Sequence, residues 1–120
     1  MEWVVVVALF VIAAGFVVLK QAGQISPEAA RQHLQNGALV IDVRSVDEFG
    51  AGHLSAAVNI PLGEIREEIP RRAPDKNQVL LLHCLSGGRS GLARRWLRQM
   101  GYTRVYNLGS YRRAEKIAGR

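Results

Sequence analysis

The chain has 120 residues, of which 48% are hydrophobic, and this length fits one domain rather than two. Its single cysteine excludes an internal disulfide and disfavours a dithiol oxidoreductase, because no second thiol can resolve a mixed disulfide. The net charge is +6, and residues 89–120 carry nine Lys or Arg but only one acid. This basic segment is typical of contact with an anionic substrate, anionic lipid or a partner, or of a solvated face. No recognised nucleic-acid-binding motif accompanies it, so nucleic acid is not an expected partner.

An uninterrupted apolar run occupies residues 3–19. As a helix it would be about 26 Å long, slightly less than the roughly 30 Å hydrocarbon core of a bilayer. A core helix would be amphipathic, and a secretory signal would begin with basic residues, whereas only Glu2 precedes this run. We therefore expect residues 1–20 to form one retained transmembrane anchor helix and residues 21–120 to form one domain. Lys20 follows the run and no basic residue precedes it, which predicts a single-pass membrane protein with its domain in the cytoplasm.

Helices and strands alternate in the predicted elements after the anchor. Ser26 followed by Pro27 predicts a helix start, and Gly37 predicts its end. Near-continuous apolar runs are typical of parallel strands buried on both faces. The later elements are expected as strands at 39–43, 57–60, 79–83 and 104–108, with helical segments at 46–49, 62–69, 91–100 and 111–118. This order indicates an α/β fold with a mostly parallel sheet of about five strands flanked by helices.

The segment at residues 84–90, of sequence CLSGGRS, follows the most apolar of the predicted strands. Ligands of parallel sheets bind beyond the carboxyl ends of strands, which is where Cys84 lies. Glycines allow main-chain N–H groups to converge on one point, and the N-terminus of the next helix adds positive potential. Both effects favour the thiolate. We therefore predict that Cys84 is a nucleophile rather than an inert core thiol, which requires converging amides and a thiol open to solvent.

The spacing within this loop narrows the chemistry. Four residues separate Cys84 from Arg89, one fewer than in the loop of cysteine phosphatases, so the cradle suits a sulfur atom added to the cysteine better than a phosphate. Together with this loop, two further stretches resemble the rhodanese family of sulfurtransferases, over roughly residues 24–110. The stretches are Ile41-Asp42-Val43-Arg44 with Glu48-Phe49, Gly52-His53-Leu54, Ala57 and Asn59-Ile60-Pro61, and then Val105-Tyr106-Asn107-Leu108-Gly109. The chain departs from the family at Ser110, where a second glycine and then a tryptophan usually follow.

The resemblance implies a single-domain, rhodanese-like sulfurtransferase. It would move sulfane sulfur from a small anionic donor such as thiosulfate to a thiol or protein acceptor, through a persulfide on Cys84. The residues expected to bind substrate are Leu85, Ser86, Gly87, Gly88, Arg89 and Ser90 in the loop, with Asp42 and Arg44 bordering the pocket. No histidine or cysteine cluster has metal-ligand spacing, so no metal ion and no cofactor are expected.

Local patterns suggest more modest roles for several of these residues. Ser86 and Ser90 could donate hydrogen bonds to the sulfur or cap the following helix, and capping is the expected role of Ser90. Arg89 either shapes the loop or binds an anion. By strand alternation Asp42 and Arg44 would point to opposite faces, with Arg44 paired to an acid at position 47 or 48. His83 would likewise turn away from Cys84, to pack or to contact a backbone group.

Two other functions remain open from the sequence. One is a membrane-tethered binding or regulatory module in which Cys84 has little or no catalytic role. The other is an arsenate or phosphate ester enzyme on the same fold, although the short loop disfavours it.

Overall fold

The computed structural model describes residues 1–21 and 23–119, without the side chains of residues 19–21. The predicted alternation of helices and strands is confirmed. The helices are α1 (Glu2–Gln21), α2 (Pro27–Gln35), α3 (Val46–Ala51), α4 (Ile65–Arg72), α5 (Gly88–Gln99) and α6 (Tyr111–Ala118), with a short 3₁₀ turn at Leu62–Glu64. The strands are β1 (Leu39–Asp42), β2 (Ala57–Asn59), β3 (Leu80–His83) and β4 (Val105–Gly109).

The sheet of the described chain has four strands in the order β2-β1-β3-β4, all parallel. About five strands were expected, and the difference lies at the β4 edge. There Gln24 forms one isolated parallel bridge with Asn107. This pairing does not lengthen into a strand because Ser26 caps α2 two residues later, accepting a hydrogen bond from the Ala29 N–H at 3.2 Å. Because all four strands are parallel, their carboxyl ends lie at the same edge of the sheet.

Strand alternation divides the core between the two faces of the sheet. Ile41 and Leu82 pack on one side with Leu97 of α5, whereas Val40 and Leu81 pack on the other side with helices α2 and α6. All five of these side chains are buried. The sheet is therefore covered on both faces, as its apolar strands predict.

The last helix is formed although the chain departs from the family pattern at Ser110. The Ser110 hydroxyl accepts a hydrogen bond from the Arg113 N–H at 3.1 Å and caps α6. Ala114 and Ile117 are buried on the inner side of this helix. A serine cap thus begins the helix where a second glycine was expected.

The N-terminal helix α1 carries a continuous series of exposed apolar side chains. Its C-terminal half packs against α5 of the domain. In the part of the chain that the structure describes, we find no helix with both the length and the apolar character needed to cross a membrane. The predicted transmembrane helix over residues 3–19 is therefore not supported.

Candidate active site

The predicted reactive loop lies at the carboxyl edge of the sheet, between β3 and α5. Cys84 directly follows β3, and its N–H donates to the Gly109 carbonyl of β4 at 3.2 Å. Gly87 has a φ of +100°, a left-handed conformation that glycine adopts readily, and it leads directly into α5. The helix therefore begins at Gly88, three residues earlier than the sequence pattern predicts.

Main-chain and hydroxyl donors surround the Cys84 sulfur. The Gly87 N–H donates to Sγ at 3.0 Å, and the Ser90 hydroxyl lies 3.5 Å from the same atom. Burial raises the pKa of the Cys84 thiol, but the Ser90 hydroxyl and the N–H groups of Ser90, Gly87 and Ser86 lower it by more, so the pKa falls below its ordinary value. The expected convergence of amides on the sulfur is present. The arrangement stabilises a thiolate.

Solvent access to the thiol differs from the expectation. Cys84 is only 1% exposed, because the loop folds over it, whereas Leu85 at the rim is 58% exposed. Ser86 is also exposed. The predicted condition of a thiol open to solvent is therefore not met in this conformation, and a sulfur donor would reach Cys84 only if the loop moved.

The structure assigns Ser90 a different position from the predicted one. Gly87, not Ser90, occupies the N-cap of α5, so Ser90 lies inside the first turn and its hydroxyl faces the core. Its one hydroxyl proton has three acceptors within reach, which are the Asn107 Oδ1 at 2.7 Å, the Gly87 carbonyl at 3.1 Å and the Cys84 sulfur at 3.5 Å. The predicted capping role of Ser90 is wrong, because the helix begins earlier than its pattern indicates.

Asn107 is a buried β4 residue that sequence reasoning did not place in the site. Its Nδ2 donates to the Gly87 carbonyl at 3.2 Å, and its Oδ1 accepts the Gly109 N–H at 2.8 Å. It therefore fixes the peptide group next to the one that donates to the sulfur. The available signal was an amide side chain within an otherwise apolar final strand, since a buried amide requires several hydrogen-bond partners.

Arg89 is held by an acid from another part of the chain. Its Nη1 and Nη2 donate to the two carboxylate oxygens of Glu48 at 2.6 and 2.9 Å. The Arg89 hydrogen bonds hold the pKa of Glu48 at about 2, below its ordinary 4.5. Of the two roles considered for Arg89, this bidentate geometry favours shaping the loop over binding a free anion.

Asp42 and Arg44 bind each other, so the predictions that they face opposite ways and that Arg44 pairs with Asp47 or Glu48 are wrong. The Arg44 Nη2 donates to Asp42 Oδ2 at 2.7 Å, and the Arg44 main-chain N–H donates to Asp42 Oδ1 at 2.9 Å. Strand β1 ends at Asp42, so alternation no longer applies one residue later. Arg44 also donates to the Gly52 carbonyl at 2.8 Å and thereby fixes the loop after α3.

His83 lies in the buried interior beside this ion pair. Its Nε2 is 3.8 Å from Asp42 Oδ2, and neither ring nitrogen has a hydrogen-bond partner within the described structure. Burial lowers the pKa of His83, which favours the neutral ring. The packing role was expected, and a backbone group of Cys84 acts on the ring, partly offsetting the effect of burial on its pKa. Within residues 1–21 and 23–119, no group of three or more His, Cys, Asp or Glu could hold a metal ion.

Comparison with known proteins finds the same fold and related sequences. The family described as Rhodanese-like domain matches residues 26–113. Thiosulfate sulfurtransferase PspE of Escherichia coli is 44% identical over 69 residues, which cover 58% of this chain and 66% of PspE, just under two thirds. Thiosulfate sulfurtransferase GlpE of Pseudomonas aeruginosa is 35% identical over 85 residues, covering 71% of this chain and 76% of GlpE.

A solved structure gives the same result at the level of the fold. The human single-domain sulfurtransferase TSTD1 superposes with a TM-score of 0.69 at 30% identity, over 79% of this chain and 96% of the human one. The resemblance seen in the sequence is thus confirmed by the family match and by the shared fold. The chain belongs to the family of rhodanese-like domains.

Proposed function

We propose that the chain is a thiosulfate sulfurtransferase in which Cys84 carries the transferred sulfur. The observation that carries this proposal is the 3.0 Å contact from the Gly87 N–H to the Cys84 sulfur. It belongs to a set of loop donors that lower the pKa of the thiol. The same donors would stabilise the negative outer sulfur of a persulfide. The names of PspE and GlpE as thiosulfate sulfurtransferases support the choice of donor.

The reaction proceeds in two steps. The Cys84 thiolate attacks the outer, sulfane sulfur of thiosulfate, a new sulfur–sulfur bond forms, and the original one breaks. Its electron pair leaves with sulfite, and Cys84 remains as a persulfide. An acceptor thiolate, or cyanide in an assay, then attacks the outer sulfur, takes it as a persulfide or thiocyanate, and releases the Cys84 thiolate. Covalent catalysis of this kind gives ping-pong kinetics.

The remaining predicted site residues act mainly by shaping the pocket. Residues 85–90 form the cradle, with main-chain donors facing inward and Leu85 at the rim, where an acceptor would approach. Arg89 acts through its pairing with Glu48. Asp42 and Arg44 hold the neighbouring loop wall, so their predicted contact with substrate is proposed here as indirect positioning.

Release of sulfite without an acceptor tests this proposal. Mixing the full chain with excess thiosulfate alone should release one sulfite per chain in a fast phase and then stop, because the persulfide persists. Adding cyanide should restart the release and produce an equal amount of thiocyanate. Sulfite release that requires cyanide from the first turnover would contradict the covalent intermediate.

A second candidate function is a binding or regulatory module with little catalysis. The observation that favours it is the 1% exposure of Cys84. On this alternative thiosulfate would not reach the sulfur, and the fast release of sulfite would be absent. The measurement of sulfite release without an acceptor therefore distinguishes the two functions.

We further propose that α1 attaches the domain to the surface of a membrane, with the domain in the cytoplasm. The support is the apolar character of α1 and its exposure, for example at Trp3 and Phe10, which are 70% and 77% exposed. Such a surface is unfavourable in water and favourable in lipid.

Cell fractionation with matched valine substitutions tests this attachment. Val11 on α1 is 64% exposed and Val46 on α3 is 66% exposed. Val11→Lys should move a large share of the chain from the membrane to the soluble fraction, since it places a charge on the apolar face that would contact the lipid. Val46→Lys should leave the distribution unchanged. Wild-type chain in the soluble fraction, or a domain that external protease digests in intact cells, would contradict attachment or orientation respectively.

A further inference from the structure

A cavity of about 550 Å³ lies between the last turns of α1 and a basic face of α5. Gly15 and Val18 line it from α1, and Arg94, Arg95 and Arg98 line it from α5. We propose that this cavity binds the anionic headgroup of a membrane phospholipid. The inference rests on the proposed membrane attachment through α1 and is independent of the sulfurtransferase chemistry.

The arginines that line the cavity give it a positive charge, which favours binding of an anion. Among the described residues, none of Arg94, Arg95 and Arg98 forms an ion pair with a carboxylate. Arg94 is held in place because its Nε donates to the Val105 carbonyl at 2.9 Å. Burial, and then the neighbouring charge of Arg98, lower the pKa of Arg94, so a bound anion would stabilise its charged form.

The junction after α1 keeps the helix close to these arginines. A Cβ added at Gly23 would lie 1.9 Å from the Arg94 Nε, so the main chain passes directly against this side chain. Gly23 also accepts the Asn107 N–H at 2.8 Å through its carbonyl, which joins the junction to the edge strand β4. The apolar helix and the basic face are thus held side by side.

The opposite wall favours a lipid over a free phosphate. Gly15 and Val18 present an apolar surface that continues into the exposed valines of α1, such as Val11. An acyl chain can run along this surface while the phosphate contacts the guanidinium groups, whereas a free anion leaves the apolar wall unoccupied. The volume falls within the range of about 300–1,000 Å³ that is usual for small-molecule sites.

Vesicle flotation of the full chain tests the proposal. Binding to vesicles of phosphatidylcholine with added phosphatidylglycerol should be tighter than binding to phosphatidylcholine alone. The double variant Arg95→Gln/Arg98→Gln should lose about 30-fold in affinity for the anionic vesicles, since each basic residue near such a surface contributes roughly fivefold. The control Arg71→Gln/Arg72→Gln removes two exposed charges from α4 and should lose little.

A variant that leaves the charge unchanged tests the cavity itself. A Cβ at Gly15 meets nothing within 4 Å, so Gly15→Leu is tolerated and places its side chain at the cavity wall. It should weaken the preference for anionic vesicles while preserving binding to neutral ones. An unchanged preference in Gly15→Leu, equal losses in the two arginine pairs, or displacement by millimolar inorganic phosphate would overturn the headgroup site.

The flotation result also tests the headgroup site separately from the membrane attachment of α1 on which it rests. Equal binding of the wild type to neutral and anionic vesicles overturns the headgroup site and leaves membrane attachment intact. Failure of the wild type to float with either vesicle overturns both.

Discussion

Replacing Cys84 with serine is expected to abolish sulfur transfer. The hydroxyl is a far weaker nucleophile than a thiolate whose pKa is lowered by the loop donors. We expect thiocyanate formation from thiosulfate and cyanide to fall by a factor on the order of 10⁴ or more, the scale seen when an enzyme loses its nucleophile. Intact-protein mass measurement after treatment with thiosulfate should show one added sulfur on the wild type and none on Cys84→Ser.

A variant that keeps Cys84 but removes one donor near its sulfur tests whether the loop stabilises the thiolate. Ser90→Ala removes the hydroxyl that lies 3.5 Å from the sulfur and retains the nucleophile. The pKa of Cys84 should rise toward its ordinary value, so the rate at neutral pH should fall while the rate at high pH is largely recovered. Ser86→Ala keeps the Ser86 N–H and should leave the pH profile nearly unchanged.

Two results would contradict this account of Cys84. One is an equal gain of sulfur by the wild type and Cys84→Ser, since the chain has no other cysteine. The other is a rate that does not depend on pH through the titration of the thiol. Thermal unfolding of each variant provides the check that the fold is retained.

Breaking the Arg89–Glu48 pair is expected to have the next largest effect. Glu48→Gln preserves the shape of the side chain and can still accept the Ser45 N–H at the start of α3, but it removes the charge. Arg89 then keeps one of its two hydrogen bonds and loses the charge attraction, so it holds the loop less firmly against α3 and the converging amides lose part of their alignment. We expect kcat/KM for thiosulfate to fall about tenfold, the scale of one hydrogen bond to a charged group. Steady-state kinetics with varied thiosulfate measure this.

The same pair predicts how stability depends on pH. The pKa of Glu48 is about 2 in the folded protein and 4.5 ordinarily, so folding favours the ionised form. The stabilisation is present above pH 4.5 and is lost as the pH falls from about 4.5 to about 2. The pair is about one-third exposed, so we expect it to contribute no more than about 1 kcal/mol at neutral pH.

Urea unfolding across this pH range tests the linkage. The difference in free energy of unfolding between the wild type and Glu48→Gln should be largest at neutral pH and should disappear near pH 2. Glu67→Gln, at an exposed carboxylate on α4, is the control and should show a much smaller difference. A difference for Glu48→Gln that is constant with pH would show that its cause is not the charge of Glu48.

The order of helices and strands and the position of the reactive loop follow from sequence alone because their causes are local. A short apolar run such as Val79 to Leu82 favours a buried strand, and Ser26-Pro27 favours a helix start. The glycines after Cys84 likewise predict a tight turn with free N–H groups. These signals lie within a few residues of the features that they determine, so one chain is enough to recognise them.

The partners within the site were decided by the tertiary structure. Arg89 and Glu48 are 41 positions apart, and Asn107 reaches Gly87 across 20, so no local pattern indicates either contact. The pairing of Asp42 with Arg44 depends on where β1 ends, which in turn depends on its neighbours in the sheet. The burial of Cys84 depends on the folded loop as a whole. The residue types therefore determined which chemistry is available. Packing between distant segments determined which groups are in contact and which of them are exposed to solvent.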